Sequence, residues 1–121
     1  SPKINMLEAK VSREGGGLRA VVPGMPTFSL PRCKDGGDQL TLCVRPGAMR
    51  LGEGDVTAEG SIRLVEYLGN ETLLHVALSS GQTLLISDGG EADYRAGQSV
   101  SLGFNLSDLH IFDSAGQRID L

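Results

Sequence analysis

Val65-Glu66-Tyr67-Leu68-Gly69-Asn70-Glu71-Thr72-Leu73-Leu74-His75-Val76-Ala77-Leu78 is the stretch from which the fold is read. Gly69-Asn70 separates two runs of strand-forming residues, and a Gly/Asn pair at that spacing is a two-residue hairpin signal. Side chains alternate faces along a strand, so Thr72, Leu74, Val76 and Leu78 share one face, while Leu73, His75 and Ala77 share the other. On the outgoing side, Ile62, Leu64 and Tyr67-Leu68 supply the first strand of the hairpin.

Further strands extend from this hairpin in both directions. Downstream, Ser79-Ser80-Gly81 turns the chain into Thr83–Ser87, which ends at Asp88-Gly89-Gly90. Gln98–Phe104 follows, with Val100, Leu102 and Phe104 in register, then a short strand over Leu109–Phe112. Asp113-Ser114-Ala115-Gly116 closes it, a turn with Asp first and Gly fourth. Upstream, Gln39–Val44 alternates, with Leu40, Leu42 and Val44 on one face, and stops at Arg45-Pro46-Gly47. Leu7–Ser12 and Leu18–Val22 read as a pair joined by Gly15-Gly16-Gly17. Thr27–Leu30, between Pro26 and Pro31, suits a sheet edge. No helical period lasts beyond a turn, and Met49–Leu51 is the one such turn expected.

The whole is an all-β chain of short strands. Among 121 residues, 33 are Leu, Ile, Val or Phe, enough to collapse around a core, and 17 are Gly. That glycine share is about twice the ordinary level of roughly 7%, which fits many tight turns. Short strands joined by hairpins favour closure, so the expected architecture is a small closed barrel, or two small barrel-like units that share strands. Residues 1–121 form one domain, with a looser first half (1–54), a cleaner barrel-like second half (55–121) and Gly52-Glu53-Gly54-Asp55 as the joint.

Composition excludes several functions. The net charge of −4 and scarce aromatics (no Trp, two Tyr, three Phe) count against nucleic acid as a partner. No apolar run reaches the roughly 18 to 20 residues of a membrane-spanning helix, and no secretion signal opens this sequence. The glycine clusters lack the Gly-Lys-Ser/Thr of a phosphate-binding loop, and there is no Gly-x-Ser-x-Gly elbow. Cys33 and Cys43 lack metal-ligand spacing with His75 or His110. A bridge between the two cysteines is open on sequence grounds, but their apolar neighbours favour reduced, buried thiols. His75 and His110 read as structural or surface residues. Glu66 and Glu71 flank the hairpin either as an acidic pair or as separately hydrogen-bonded carboxylates. Lys3, Lys10, Arg13 and Arg19 form a loose basic group near the start.

The order of motifs resembles a known family. Ser1-Pro2-Lys3-Ile4-Asn5-Met6-Leu7, Leu42-Cys43-Val44-Arg45-Pro46, Val65–Thr72, and His110-Ile111-Phe112-Asp113 with Gly116 and Arg118-Ile119 follow one another. Together they are similar to the C-terminal region of ATP-binding subunits from importers of the maltose and glycerol-3-phosphate type. That region is the transport-associated OB-like (TOBE) domain.

The resemblance implies a module that is not itself an enzyme. ATP and Mg²⁺ would belong to an ATPase domain upstream of Ser1, and this chain would carry no cofactor, metal or catalytic residue. Its partners would be a second copy of itself, membrane permease subunits reached through the ATPase domain, and regulatory proteins. Its place would be cytoplasmic, peripheral at the inner face of the membrane. Gly69, Asn70, Glu71 and Thr72 are the family-signature residues; Gly69 and Asn70 tolerate the positive φ that the turn requires, and Thr72 begins the return strand. Phe112 is a candidate for a subunit interface, or for burial in its own barrel. The alternative function is a free-standing module for small oxyanions. Against it, the opening segment lacks the Arg of the Ser-Ala-Arg-Asn that molybdate-binding relatives carry. The transported solute (a sugar, a polyol or glycerol phosphate) is not written in this region.

Overall fold

The computed structural model describes residues 3–14, 17–31, 33, 37–89 and 93–119. Within them the strands are β1 (Asn5–Ser12), β2 (Leu18–Val21), β3 (Phe28–Leu30), β4 (Gln39–Val44), β5 (Arg50–Leu51), β6 (Val56–Tyr67), β7 (Thr72–Leu78), β8 (Thr83–Asp88), β9 (Ser99–Phe104), β10 (His110–Asp113) and β11 (Arg118–Ile119). Alternation builds most of them. In β1, Asn5, Leu7 and Ala9 are buried while Met6, Glu8 and Lys10 are exposed, as a strand with one face on a core requires. The Gly15-Gly16 part of the expected first turn lies outside the described residues, as do Ser1-Pro2, most of the 34–38 loop, and Gly90.

The strands form two antiparallel sheets, ordered β11-β10-β4-β1-β2-β3 and β5-β9-β6-β7-β8. β3 sits at a sheet edge, where its flanking prolines remove no ladder bond. The two sheets repeat one design. β1 pairs with β2 and β4, and β2 with β3. In the same way β6 pairs with β7 and β9, and β7 with β8.

Each run then makes a 3-10 turn (Pro46–Ala48 or Leu106–Asp108) and sends its next strand to the other sheet. β5 lies on β9, with Arg50 opposite Gly103 and Leu51 opposite Leu102. β10 lies on β4, with His110 opposite Cys43 and Ile111 opposite Leu42. Arg50 therefore corresponds to His110, and Gly103 to Cys43. The exchange is reciprocal, so strand pairing crosses residue 54 in both directions. β5 also approaches β8, the far edge of its own sheet, which curls that sheet toward closure.

One core lies between the sheets. Leu7, Leu42 and Ile111 from the first meet Ile62, Leu74, Leu84 and Leu102 from the second in a single buried cluster. Phe28 on β3 and Phe104 on β9 stack edge to face at 5.8 Å, joining the two sheets. Sequence placed a helical turn at Met49–Leu51; the structure places it at Pro46–Ala48. Pro46 fixes the φ that opens such a turn. The turn is closed by Ala48 N–H to Arg45 O (2.9 Å) and Met49 N–H to Pro46 O (3.3 Å). Met49 is then free to enter the core. β6 also begins at Val56, earlier than the Ile62 start expected from sequence. Cys33 and Cys43 are both buried and unbridged.

Candidate functional site

The β6–β7 hairpin closes with Tyr67 opposite Thr72 and a Leu68 N–H to Glu71 O bond of 2.8 Å. Gly69 has φ +80°, and no residue other than glycine has positive φ among the described residues. Of the two residues that tolerate positive φ here, Gly69 adopts it and Asn70 does not. The turn follows the type II′ pattern, in which only the first central residue is left-handed, and Gly69 holds that place. Thr72 is buried, while Glu71 is exposed and accepts a bond from the Ser87 hydroxyl at 2.6 Å.

A bulge reorganises the outgoing strand. Register shifts between Ile62 and Leu64, so Arg63 has no partner in the ladder. Ile62 stays fully buried, whereas Leu64 is 49% exposed and lies opposite His75 on the outer face. Glu66 shares that face, and His75 Nε2 donates to Glu66 Oε1 at 2.5 Å. Glu66 and Glu71 thus take separate partners and do not form an acidic pair. Tyr67 and Leu68 at the hairpin end are also exposed, with Tyr67 on the face opposite Leu64.

Beside the hairpin is a cleft of about 730 Å³. Leu68, Glu71 and Leu73 form one wall, and the Pro46–Ala48 turn, which packs against β8, forms the other. Lys3, Arg45 and Arg50 stand around it, with Asp108 from the second 3-10 turn. The corner after β4 and the hairpin, far apart in sequence, therefore line one space. Sequence reading singled out Lys3, Arg45 and Glu71 but missed Arg50 and Leu73. Arg50 carries no local motif, and only the crossing of β5 to β9 brings it here.

Phe112 lies half-buried on the outer face of the six-stranded sheet, near Met6 and Thr41. Its neighbour Ile111 fills the core instead, so the expected alternative of burial in the barrel is corrected. His110 Nδ1 accepts from Arg118 at 2.9 Å. Arg13 pairs with Asp38 at 3.2 Å and does not join Lys3 in a basic group. Burial, and secondly the charge of Glu8, push the Cys43 thiol above its ordinary range. The Tyr94 hydroxyl donates to Asp88; that bond, then burial and the Asp88 charge, push its pKa up to about 12. Among the described residues no group of three or more His, Cys, Asp or Glu is placed to hold a metal, and no helix is long and apolar enough to cross a membrane.

Residues 42–112 match the TOBE domain family. The chain is 33% identical over 127 residues to the sn-glycerol-3-phosphate import ATP-binding protein UgpC of Chromohalobacter salexigens, covering all of this chain and 33% of that protein. It is 34% identical over 125 residues to UgpC of Brucella abortus, covering 98% and 32%. It is 29% identical over 125 residues to the maltose/maltodextrin import ATP-binding protein MalK of Vibrio vulnificus, covering 97% and 33%. The chain spans about a third of the length of these relatives. Its fold is similar to that of the cytoplasmic molybdate-binding protein ModG, with a TM-score of 0.70, 16% identity, and 88% of this chain and 94% of that one covered.

Proposed function

The chain belongs to the TOBE domain family, and from that premise we propose that it is the C-terminal regulatory and dimerisation region of an importer's ATP-binding subunit. The observation that carries this reading is end-to-end similarity to import ATP-binding proteins, of which it forms about a third. In this reading two copies associate and hold their ATPase domains together while the nucleotide sites open and close. A standing contact makes each closure intramolecular and so raises its effective concentration. The cargo would be a sugar, a polyol or glycerol phosphate.

ATP and Mg²⁺ would be held outside this chain, which has no phosphate-binding loop and no clustered metal donors among its described residues. The complex would lie at the cytoplasmic face of the membrane, bound to permease subunits through the ATPase domains. The hairpin end, where Tyr67 is 64% exposed, offers the second copy an apolar surface on an otherwise acidic domain. Gly69, Asn70, Glu71 and Thr72 hold that surface in shape, and Phe112 is a second contact candidate. Reading the gene upstream of the Ser1 codon tests the assignment. A phosphate-binding loop and an ATPase signature within about 200 to 250 residues, one or two domain lengths, are expected. A start codon directly before Ser1 contradicts it.

The second reading is a free-standing binder of small oxyanions. ModG, described as molybdate-binding, supports it through shared fold, and so do the cations around the cleft. A rise in melting temperature with molybdate or tungstate is its expected sign.

A further inference from the structure

We propose that the cleft between the Pro46–Ala48 turn and the β6–β7 hairpin binds a small amphipathic organic anion: a phosphate or carboxylate group on an apolar body. The charge distribution is the first argument. The chain carries −4 overall, yet Lys3, Arg45 and Arg50 converge on this one space. Lys3 and Arg45 make no ion pair with any described residue. Arg50 makes only a 3.9 Å contact with Glu53, in which both side chains are more than half exposed. Two acids line the same space, Glu71, which also accepts from the Ser87 hydroxyl, and Asp108, so the cations outnumber the acids three to two. An anion entering here meets two cations, Lys3 and Arg45, that are held in no ion pair with a described residue.

The apolar wall is the second argument. Leu68 is 48% exposed and Leu73 is partly exposed, both beside those cations. A cleft of about 730 Å³ falls within the range of small-molecule sites. A bare tetrahedral oxyanion fills little of it and leaves Leu68 and Leu73 in water. A ligand with an apolar body covers them and gains from that burial. The inference rests on neither the importer reading nor the oxyanion reading, and it differs from the latter in requiring the apolar part.

Isothermal titration of the chain at low salt, with phenyl phosphate, inorganic phosphate, molybdate and phenol as probes, tests it. Phenyl phosphate is expected to bind about tenfold tighter than inorganic phosphate or molybdate, the factor expected from covering one phenyl ring. Phenol alone is expected not to bind measurably. Arg45→Gln is expected to weaken phenyl phosphate at least about tenfold, the usual scale for a lost charged hydrogen bond. Leu68→Ser, at an exposed hairpin position where folding is not at stake, should remove most of the advantage over inorganic phosphate. Equal affinity for phenyl phosphate and either inorganic anion overturns the proposal, as does indifference to both substitutions. Preferential molybdate binding overturns it in favour of the oxyanion reading. A monomeric chain that prefers phenyl phosphate leaves it standing while the dimerisation reading fails.

Discussion

Asn5 and Leu85 bind each other twice: Asn5 Nδ2 donates to the Leu85 carbonyl at 2.8 Å, and the Leu85 N–H donates to Asn5 Oδ1 at 2.7 Å. The side chain of β1 thereby satisfies both backbone groups of an edge residue on β8 and joins the two sheets. Gln82 adds a second tie from the same edge, donating to Met6 O at 2.7 Å. Asn5 is buried, so its removal leaves two partly buried backbone groups without partners. Asn5→Ala is expected to cost about 1 to 3 kcal/mol. Asn5→Asp should cost at least as much, because it sets a second acceptor against Leu85 O. Urea denaturation checks both, with a lowered midpoint and an unchanged slope expected.

Gly103 is a point of close backbone approach. A Cβ there would stand 2.1 Å from Glu53 O, in the connection that leads from β5 into β6. Gly103→Ala must push that connection off β9, with an expected cost of about 3 kcal/mol or more. The corresponding position in the first repeat is Cys43, which holds a buried side chain. Cys43→Ala is expected to cost about 1 kcal/mol, a modest loss of packing. Comparing thermal midpoints of the two variants tests this asymmetry.

Much of this arrangement was legible in the sequence. The alternation in Gln39–Val44 and Thr72–Leu78, the edge strand between prolines, and the Asp113–Gly116 turn are all local patterns, and the structure reproduces them. In that turn Asp113 Oδ1 accepts from the N–H groups of Ala115 and Gln117. Other features depend on contacts distant in sequence. The Arg63 bulge changes the face of Leu64 without any Gly or Pro to mark it. Asn5 has the composition of a surface polar residue until β8 is placed beside it. The crossing of β5 and β10 between sheets depends on two-residue and four-residue strands too short to carry a period. The cleft follows from that crossing, so only its Arg45 and hairpin sides were visible beforehand.

Tyr94 makes stability depend on pH in the alkaline range. Its pKa rises to about 12 in the folded chain, chiefly through its bond to Asp88, against an ordinary value of about 10. Between those values the unfolded chain has lost the phenolic proton while the folded chain keeps it. The contribution is therefore complete below about pH 10 and is lost as pH rises toward 12. In a Tyr67→Phe background, absorbance titration should show the remaining phenol ionising near 12. Asp88→Asn should bring that ionisation down and flatten the alkaline loss of stability.

Cys33 and Cys43 are expected to react slowly with iodoacetamide in the folded chain, since both are buried and the Cys43 thiol is shifted toward its protonated form. Reaction in denaturant should be at least about a hundredfold faster, because alkylation then no longer waits on transient opening. Mass spectrometry of the time course checks it. Rapid native labelling of Cys43 would contradict the covered position the structure gives it.

Sedimentation equilibrium of the chain across a wide concentration range decides whether it associates with a second copy. Association through the hairpin surface predicts a species of twice 12.7 kDa that reverts to monomer in a Tyr67→Glu variant with an unchanged circular dichroism spectrum. A single 12.7 kDa species at every concentration up to the millimolar range would contradict the account of this chain as a dimerisation region.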